Sequence, residues 1–314
     1  MNKTGLNLAR RLFTAVKPLL EERIPHIMER AAVGLVGEGS ECFGFDDEIS
    51  RDHDWGPAFC IWLPEAELTA CSSRLEDALE QLPKTFEGLP TRLSPERRGG
   101  RVGPQSIEGF YSHFTGLKTP PRNWRDWRGI SEAALAACTN GEVFQDETGI
   151  FSDHRAALLN FYPEDVLRKK IAARCMIMAQ AGQYNLPRSL QRGEYGTVML
   201  AAARFAEAAL SIAFLLNRRP MPFYKWACRA ARQLPRLGVE AANLTEQLSG
   251  TRWSDPTEGI PAVNAIEAYC ASIASTLRNE NFVSVPGDWL WTLGISVQQG
   301  IREPELRCLD VMRD

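Results

Sequence analysis

GSECFGFDDEISRDHDWGP, residues 39–57, places six carboxylates in nineteen positions between two apolar runs, AAVGLV (31–36) and AFCIWL (58–63). The run before it reads as a buried strand that ends in a Gly-Glu-Gly-Ser turn. The chain from Asp52 to Leu63 reads as a second strand. Successive side chains on a strand face opposite ways, so Asp52 and Asp54 share one face while His53 and Trp55 take the other. Their Cα atoms are then roughly 6.5–7 Å apart. Two carboxylates at that spacing can lean onto one hard cation such as Mg²⁺; without it they repel, and one tends to stay protonated. Upstream, Gly39-Ser40 lets the backbone approach a phosphate and offers it N–H groups and a hydroxyl. The eleven residues between Ser40 and Asp52 allow the chain to turn back. The stretch therefore reads as a phosphate cradle beside a dicarboxylate metal site, the layout that metal-assisted nucleotidyl transfer needs. Asp46, Asp47 and Glu48 read as solvated charges on the bend between the strands.

Outward from this stretch the chain changes character once. Residues 5–30 carry Leu6, Leu8, Leu12, Val16, Leu19 and Leu20 along one helical face despite Pro18. Residues 65–82 have apolar positions at 68, 71, 75, 78, 79 and 82, again at helical spacing. A glycine-rich RRGGRVG (97–103), read as a solvated turn with a flexible phosphate-contacting loop as the alternative, precedes SIEGFYSHF (106–114), a third strand candidate. Beyond residue 155 the pattern is helical throughout. Pro163 and two acids open one helix. An Ala/Leu-rich helix covers 194–217, and further helical patterns fall near 223–234, 239–249, 261–278 and 303–312. The expected fold is α+β: a small mixed-sheet domain over 1–155, then an α-helical bundle over 156–314.

Composition sets limits on partners. The chain has 314 residues, 44% of them apolar and 24% charged, enough to bury a sizeable core. With 36 basic and 39 acidic residues the net charge is −3, so a long nucleic acid is not expected as partner. The eight cysteines lie far apart without a CxxC pair and read as reduced core thiols. The N-terminus lacks the pattern of a signal peptide. Val198–Leu216, the most apolar stretch, contains Arg204 and Glu207 and reads as a buried helix rather than a membrane span. The protein is expected to be soluble and cytoplasmic. Four histidines, and Trp-Gly-Pro directly after His53-Asp54, argue against a helical His-Asp phosphohydrolase site. No P-loop is present.

Gly39-Ser40 followed by Asp52-His53-Asp54 resembles the signature of nucleotidyltransferases related to DNA polymerase β. The architecture is similar to that of the kanamycin-type aminoglycoside nucleotidyltransferases. The chain also resembles a bacterial family recorded as a domain of unknown function with a predicted nucleotidyltransferase fold. The segments that carry this likeness are residues 39–57, GEVFQDETGIFSDHRAALLNFYP (141–163), AQAGQYNLPR (179–188), RGE (192–194) and LLNRRPMPFYKW (215–226), within residues 30–235. The resemblance implies Mg²⁺, two ions with NTP bound, on Asp52 and Asp54, and NTP phosphates near Gly39 and Ser40. It implies a third carboxylate from a neighbouring strand. Glu108 is the acid in SIEGFYSHF and is assigned that role, with Asp146 as runner-up in a turn-like setting.

In the kanamycin enzyme a helix of the second domain brings a glutamate base and a phosphate-binding lysine. The corresponding MAQAGQYN (178–185) has neither. Glu194 is the candidate for the base. Gln183, Tyr184, Asn185, Arg188 and Arg192 form a polar cluster, of which Gln183 and Arg188, with Lys225, are expected to contact nucleotide. The expected function is transfer of NMP, AMP by preference, from Mg-NTP to a hydroxyl of a small molecule or protein. The alternative is a nucleotide-sensing or partner-binding protein that keeps the fold without turnover.

Overall fold

Leu8, Leu12, Phe13, Val16 and Leu20 recur at helical spacing and are all buried in the first helix, α1 (Gly5–Arg23). The computed structural model describes residues 4–51 and 55–314. Asp52, His53 and Asp54 lie outside the described residues. The structure is mixed α/β, with a small mixed sheet and many helices. It divides into two units, Met1–Asn160 and Phe161–Asp314.

In the first unit α1 is followed by α2 (Pro25–Met28), β1 (Ala32–Leu35) and two 3₁₀ turns at Ser40–Phe43 and Ile49–Arg51. Then come β2 (Cys60–Leu63), α3 (Glu65–Glu80), a short hairpin of β3 (Thr85–Phe86) and β4 (Leu89–Pro90), and α4 (Pro95–Arg98). The unit ends with β5 (Gly103–Ser106), α5 (Ile107–Thr115), α6 (Trp124–Gly129), α7 (Glu132–Thr139), β6 (Glu142–Asp146) and α8 (Ile150–Leu159). The sheet order is β5-β2-β1-β6, with β1 antiparallel to β2 and β6, and β2 parallel to β5. Every residue of β1 and β2 is buried, which is why both strands read as unbroken apolar runs. The β1–β6 register shifts between Val33 and Gly34. A Cβ on Gly34 would lie 2.4 Å from the Glu142 carbonyl, so glycine permits this close pairing.

Three expectations are corrected here. Among the described residues the second strand is confined to Cys60–Leu63, shorter than the expected run from Asp52. SIEGFYSHF is not a strand but the N-cap and body of α5. Ser106 Oγ accepts from Gly109 N at 3.0 Å, and Ile107, Phe110 and Tyr111 are buried at helical spacing. The strand Glu142–Asp146 was not expected; it is a half-buried edge of only five residues.

An aromatic cluster closes the core over one sheet face. Trp62, fully buried, stacks on Phe151 at 4.0 Å and meets Phe110 edge-on at 5.4 Å. Tyr111 stacks on His154 at 3.6 Å. Pairs of this kind contribute ~0.5–1.5 kcal/mol each beyond their burial.

The second unit contains no strand among its described residues. Its elements are α9 (Glu164–Met178), a π-turn (Ala179–Asn185), α10 (Leu186–Gln191), α11 (Tyr195–Leu216), α12 (Tyr224–Ala231), α13 (Gly238–Gly250), α14 (Pro256–Asn279), α15 (Leu290–Gln299) and α16 (Pro304–Arg307). The helix α11 is long and apolar enough to cross a membrane by length and composition, and 72% of its most apolar window is buried inside the fold. Gly182 in the π-turn sits against α11, and a Cβ there would be 2.2 Å from Phe205 Cδ2. Lys169, fully buried on α9, donates from Nζ to Gln298 Oε1 at 2.8 Å and to the Asp310 carbonyl at 2.5 Å. Those bonds satisfy an ammonium that would otherwise be costly to bury.

Candidate functional site

The candidate site is built where β1 runs out. After Leu35 the chain turns through Gly37-Glu38-Gly39 into the 3₁₀ turn at Ser40. Gly37 has φ +144°, a conformation that side-chain-bearing residues rarely adopt. Asn140 holds it from both sides: the Gly37 N–H donates to Asn140 Oδ1 at 3.0 Å, and Asn140 Nδ2 donates to the Gly37 carbonyl at 2.7 Å. The next residue, Gly141, donates its N–H to the Cys42 carbonyl at 2.9 Å. Among the described residues, no acceptor takes the backbone N–H of Glu38 or Ser40, while the Gly39 N–H is turned toward the Cys42 thiol. The turn therefore presents two unspent donors at one end of the sheet.

A cavity of about 440 Å³ opens beside this turn. Gly37 and Glu38 line it, with Gly100 and Arg101 from the glycine-rich loop and Ser106, Gly109 and His113 from the start and body of α5. His113 Nε2 lies 3.9 Å from Glu38 Oε1 at the rim. The RRGGRVG loop is thus more than a solvated turn. Arg98 within it is buried, binds both oxygens of Glu76 at 2.6 and 2.7 Å, and lies over Gly103, whose φ is +85°. That anchor leaves exposed Arg101 at the cavity wall. An anionic group at this place would meet a guanidinium and a turn rich in N–H donors.

Glu41 is the buried carboxylate of the turn. Burial pushes its pKa up, against the pull of its own backbone N–H and of Arg92, whose guanidinium is 4.0 Å away. Asp46, expected to be a solvated charge, instead accepts from Gly5 N at 2.7 Å and from Trp55 Nε1 at 3.1 Å, tying the bend to the start of α1. Asp47 accepts from Ile49 N and Ser50 N at 3.0 Å and closes a local turn. The residues flanking the undescribed three meet: the Arg51 guanidinium lies over the Trp55 ring at 4.8 Å.

The structure places Glu108 elsewhere. It lies in the first turn of α5, after the C-terminal end of β5, and its Oε2 accepts from Glu65 N at 2.9 Å at the start of α3. Because β5 and β2 are parallel, that is the end of the sheet at which β2 finishes. The Gly39-Ser40 turn and the chain entering β2 stand at the other end, about 10 Å of strand away. Asp146 accepts from Gly149 N at 3.0 Å and Ser152 N at 2.8 Å, and so caps α8. Among the described residues no three of His, Cys, Asp and Glu form a metal-sized group.

The expected nucleotide contacts of the second unit are placed as follows. Gln183 donates to Glu267 Oε2 at 2.7 Å and accepts from Leu290 N at 3.0 Å, which ties the π-turn to α14 and α15. Arg188 is exposed with its guanidinium over Tyr184 at 4.7 Å, and exposed Lys225 lies over Trp226 at 4.3 Å. Glu194 is exposed at the start of α11. Sequence reasoning missed Asn140 as part of the first-unit site and preferred a solvated turn for the loop that carries Arg101. The Asn140-Gly141 pair ahead of β6 was the available signal, since Asn-Gly marks tight turns.

A family profile described as a domain of unknown function (DUF4037) matches residues 127–227, about a third of the chain. The match includes Gln183, Arg188, Glu194 and Lys225, and none of Gly39, Ser40, Asp52, Asp54 and Glu108. No curated protein and no solved structure matches the chain.

Proposed function

We propose that the chain is a metal-dependent nucleotidyltransferase that moves NMP, AMP by preference, from Mg-NTP to a hydroxyl acceptor. In this reading the first unit is the nucleotidyltransferase domain and the second its helical bundle. The observation that carries it is the turn after β1, with two unspent N–H donors beside Arg101, at the sheet end where β2 begins. The backbone N–H groups of Glu38 and Ser40 and the Arg101 guanidinium take the phosphates. Asp52 and Asp54, just ahead of β2 in sequence, hold the metal. These two aspartates would offer oxygen donors, the chemistry that suits Mg²⁺ rather than a thiolate-seeking ion. Bound Mg²⁺ supplies charge neutralisation on the phosphates and makes the attacking hydroxyl more acidic. Glu108 is left out of the metal set because it caps α3.

The test is pyrophosphate release and Mg-ATP binding by the purified protein, alongside Asp52→Asn and Asp54→Asn. The expected result is a rise in Tm with Mg-ATP that both variants lose, and pyrophosphate release that depends on Asp54. Absence of Mg-NTP binding, with both variants indistinguishable from the parent, would sink the proposal. A second reading, nucleotide binding without turnover, is favoured by the position of Glu108, which leaves the third-acid role unassigned. It predicts the same rise in Tm without pyrophosphate from any acceptor.

A further inference from the structure

A cavity of about 800 Å³ in the second unit lies between α11, α12 and α13 and the turn after α13. Its volume falls in the range of small-molecule sites. Buried Ala206, Leu210 and Leu248 contribute to its lining. Exposed Tyr195, Met199 and Tyr224, at 44%, 60% and 71% exposure, edge it with apolar surface that nothing else in the unit covers.

Its formal charge has one sign. No lysine, arginine or histidine lines the cavity; Glu207 on α11 is the charged residue there. Three hydroxyls of the lining have already given their proton to a helix carbonyl. Thr245 donates to Ala241 O, Ser249 to Glu246 O and Thr251 to Gln247 O, each at 2.8 Å. A hydroxyl has one proton, so these three offer only lone pairs to a ligand. Tyrosine and tryptophan rings add negative π-faces, which attract cations.

We propose that this groove binds an organic monocation, an amine carrying an aryl or alkyl body. The apolar body takes the place of water against Leu210, Leu248 and the rim aromatics. The ammonium donates to Glu207 and the spent hydroxyls. A carboxylate-headed ligand of the same body would face Glu207 and oxygen lone pairs, and is disfavoured. The inference does not depend on the nucleotidyltransferase reading, because no residue of this groove is assigned to nucleotide or metal.

Three probes share one body and differ in the head: phenylbutylamine, phenylbutanol and phenylbutyrate. Affinities are measured by calorimetry on the full chain, and location by protection of Cys228, which lines the groove, from N-ethylmaleimide. Exposed Cys308 is the internal control and stays reactive. The amine is expected to bind tightest and to protect Cys228. Glu207→Gln is expected to weaken the amine about three- to five-fold and leave the alcohol unchanged, the range of an exposed ion pair. Ala203→Trp, at an exposed lining position, is expected to weaken both. Equal binding of the carboxylate, no protection of Cys228 by any probe, or an amine indifferent to Glu207→Gln overturns the proposal.

Discussion

His154 gives the first unit an acid-sensitive core, and the size of the effect follows from its surroundings. The ring is 6% exposed, stacks on Tyr111 at 3.6 Å, and has a buried Nε2 without a partner. Burial pushes its pKa down from 6.5 to about 4. The unfolded chain therefore takes a proton near pH 6.5 that the folded chain refuses until about pH 4. Stability is full above pH 6.5 and falls with pH through that window. At ~1.4 kcal/mol per pH unit the whole interval costs about 3 kcal/mol, and at pH 5 the loss is already about 2 kcal/mol. Other groups titrate in the same range, so the measurement is a difference between the parent and His154→Phe, which keeps the stack and removes the proton site. Hydrogen exchange in α5 and α8 between pH 8 and pH 5 reports on this unit's own stability. The parent is expected to lose about 2 kcal/mol more than the variant. Equal losses, or a His154 resonance that titrates near 6.5, would refute the assignment.

Other perturbations separate structural from functional roles. Glu108→Ala removes the acceptor for Glu65 N and is expected to cost ~0.5–1 kcal/mol in urea unfolding, with Mg-ATP affinity unchanged. A loss of affinity as large as that of Asp54→Asn would return Glu108 to the metal set. Gly182→Ala places a Cβ 2.2 Å from Phe205 and is expected to destabilise the second unit by about 1–3 kcal/mol, read by thermal unfolding. Asn140→Ala removes both bonds to Gly37 and is expected to cost about 1–2 kcal/mol, with faster amide exchange at residues 37–42. Unchanged exchange there would show that the turn holds its shape without Asn140.

What the sequence disclosed was whatever periodicity could carry. The buried strands β1 and β2 showed as unbroken apolar runs, and α1, α3 and α11 as stripes at helical spacing. SIEGFYSHF misled because Phe and Tyr favour strands by propensity, while Ile107, Phe110, Tyr111 and Phe114 already sat at helical offsets after a serine cap. The edge strand β6 was missed because five half-buried residues give no run to read, and its register depends on a glycine in another strand. LWTLGISVQQ, the body of α15, was also passed over, as its mixed face resembles a loop until α9 is packed against it. Side-chain partnerships at long range were not legible at all. Asp46 looked solvated until α1 brought Gly5 to it, 41 residues away.

The two glycines of the Gly-Glu-Gly-Ser turn then separate by cause. Gly39 suggested a phosphate cradle because it is small. In the fold its smallness has a local reason: a Cβ there would meet the Glu41 carboxylate at 2.5 Å. That carboxylate is buried, so it has little room to move aside. Gly37 is different, since it needs φ +144° and a Cβ on it would meet nothing within 4 Å. Open space faces Gly37, and packed carboxylate faces Gly39. The case for an anion at this turn therefore rests on the N–H groups of Glu38 and Ser40 and on Arg101, not on the glycine that first drew attention. Gly39→Ala tests packing and Arg101→Ala tests binding. If the proposal holds, the second lowers Mg-ATP affinity by more than any change in stability accounts for, and the first lowers stability whether or not nucleotide binds.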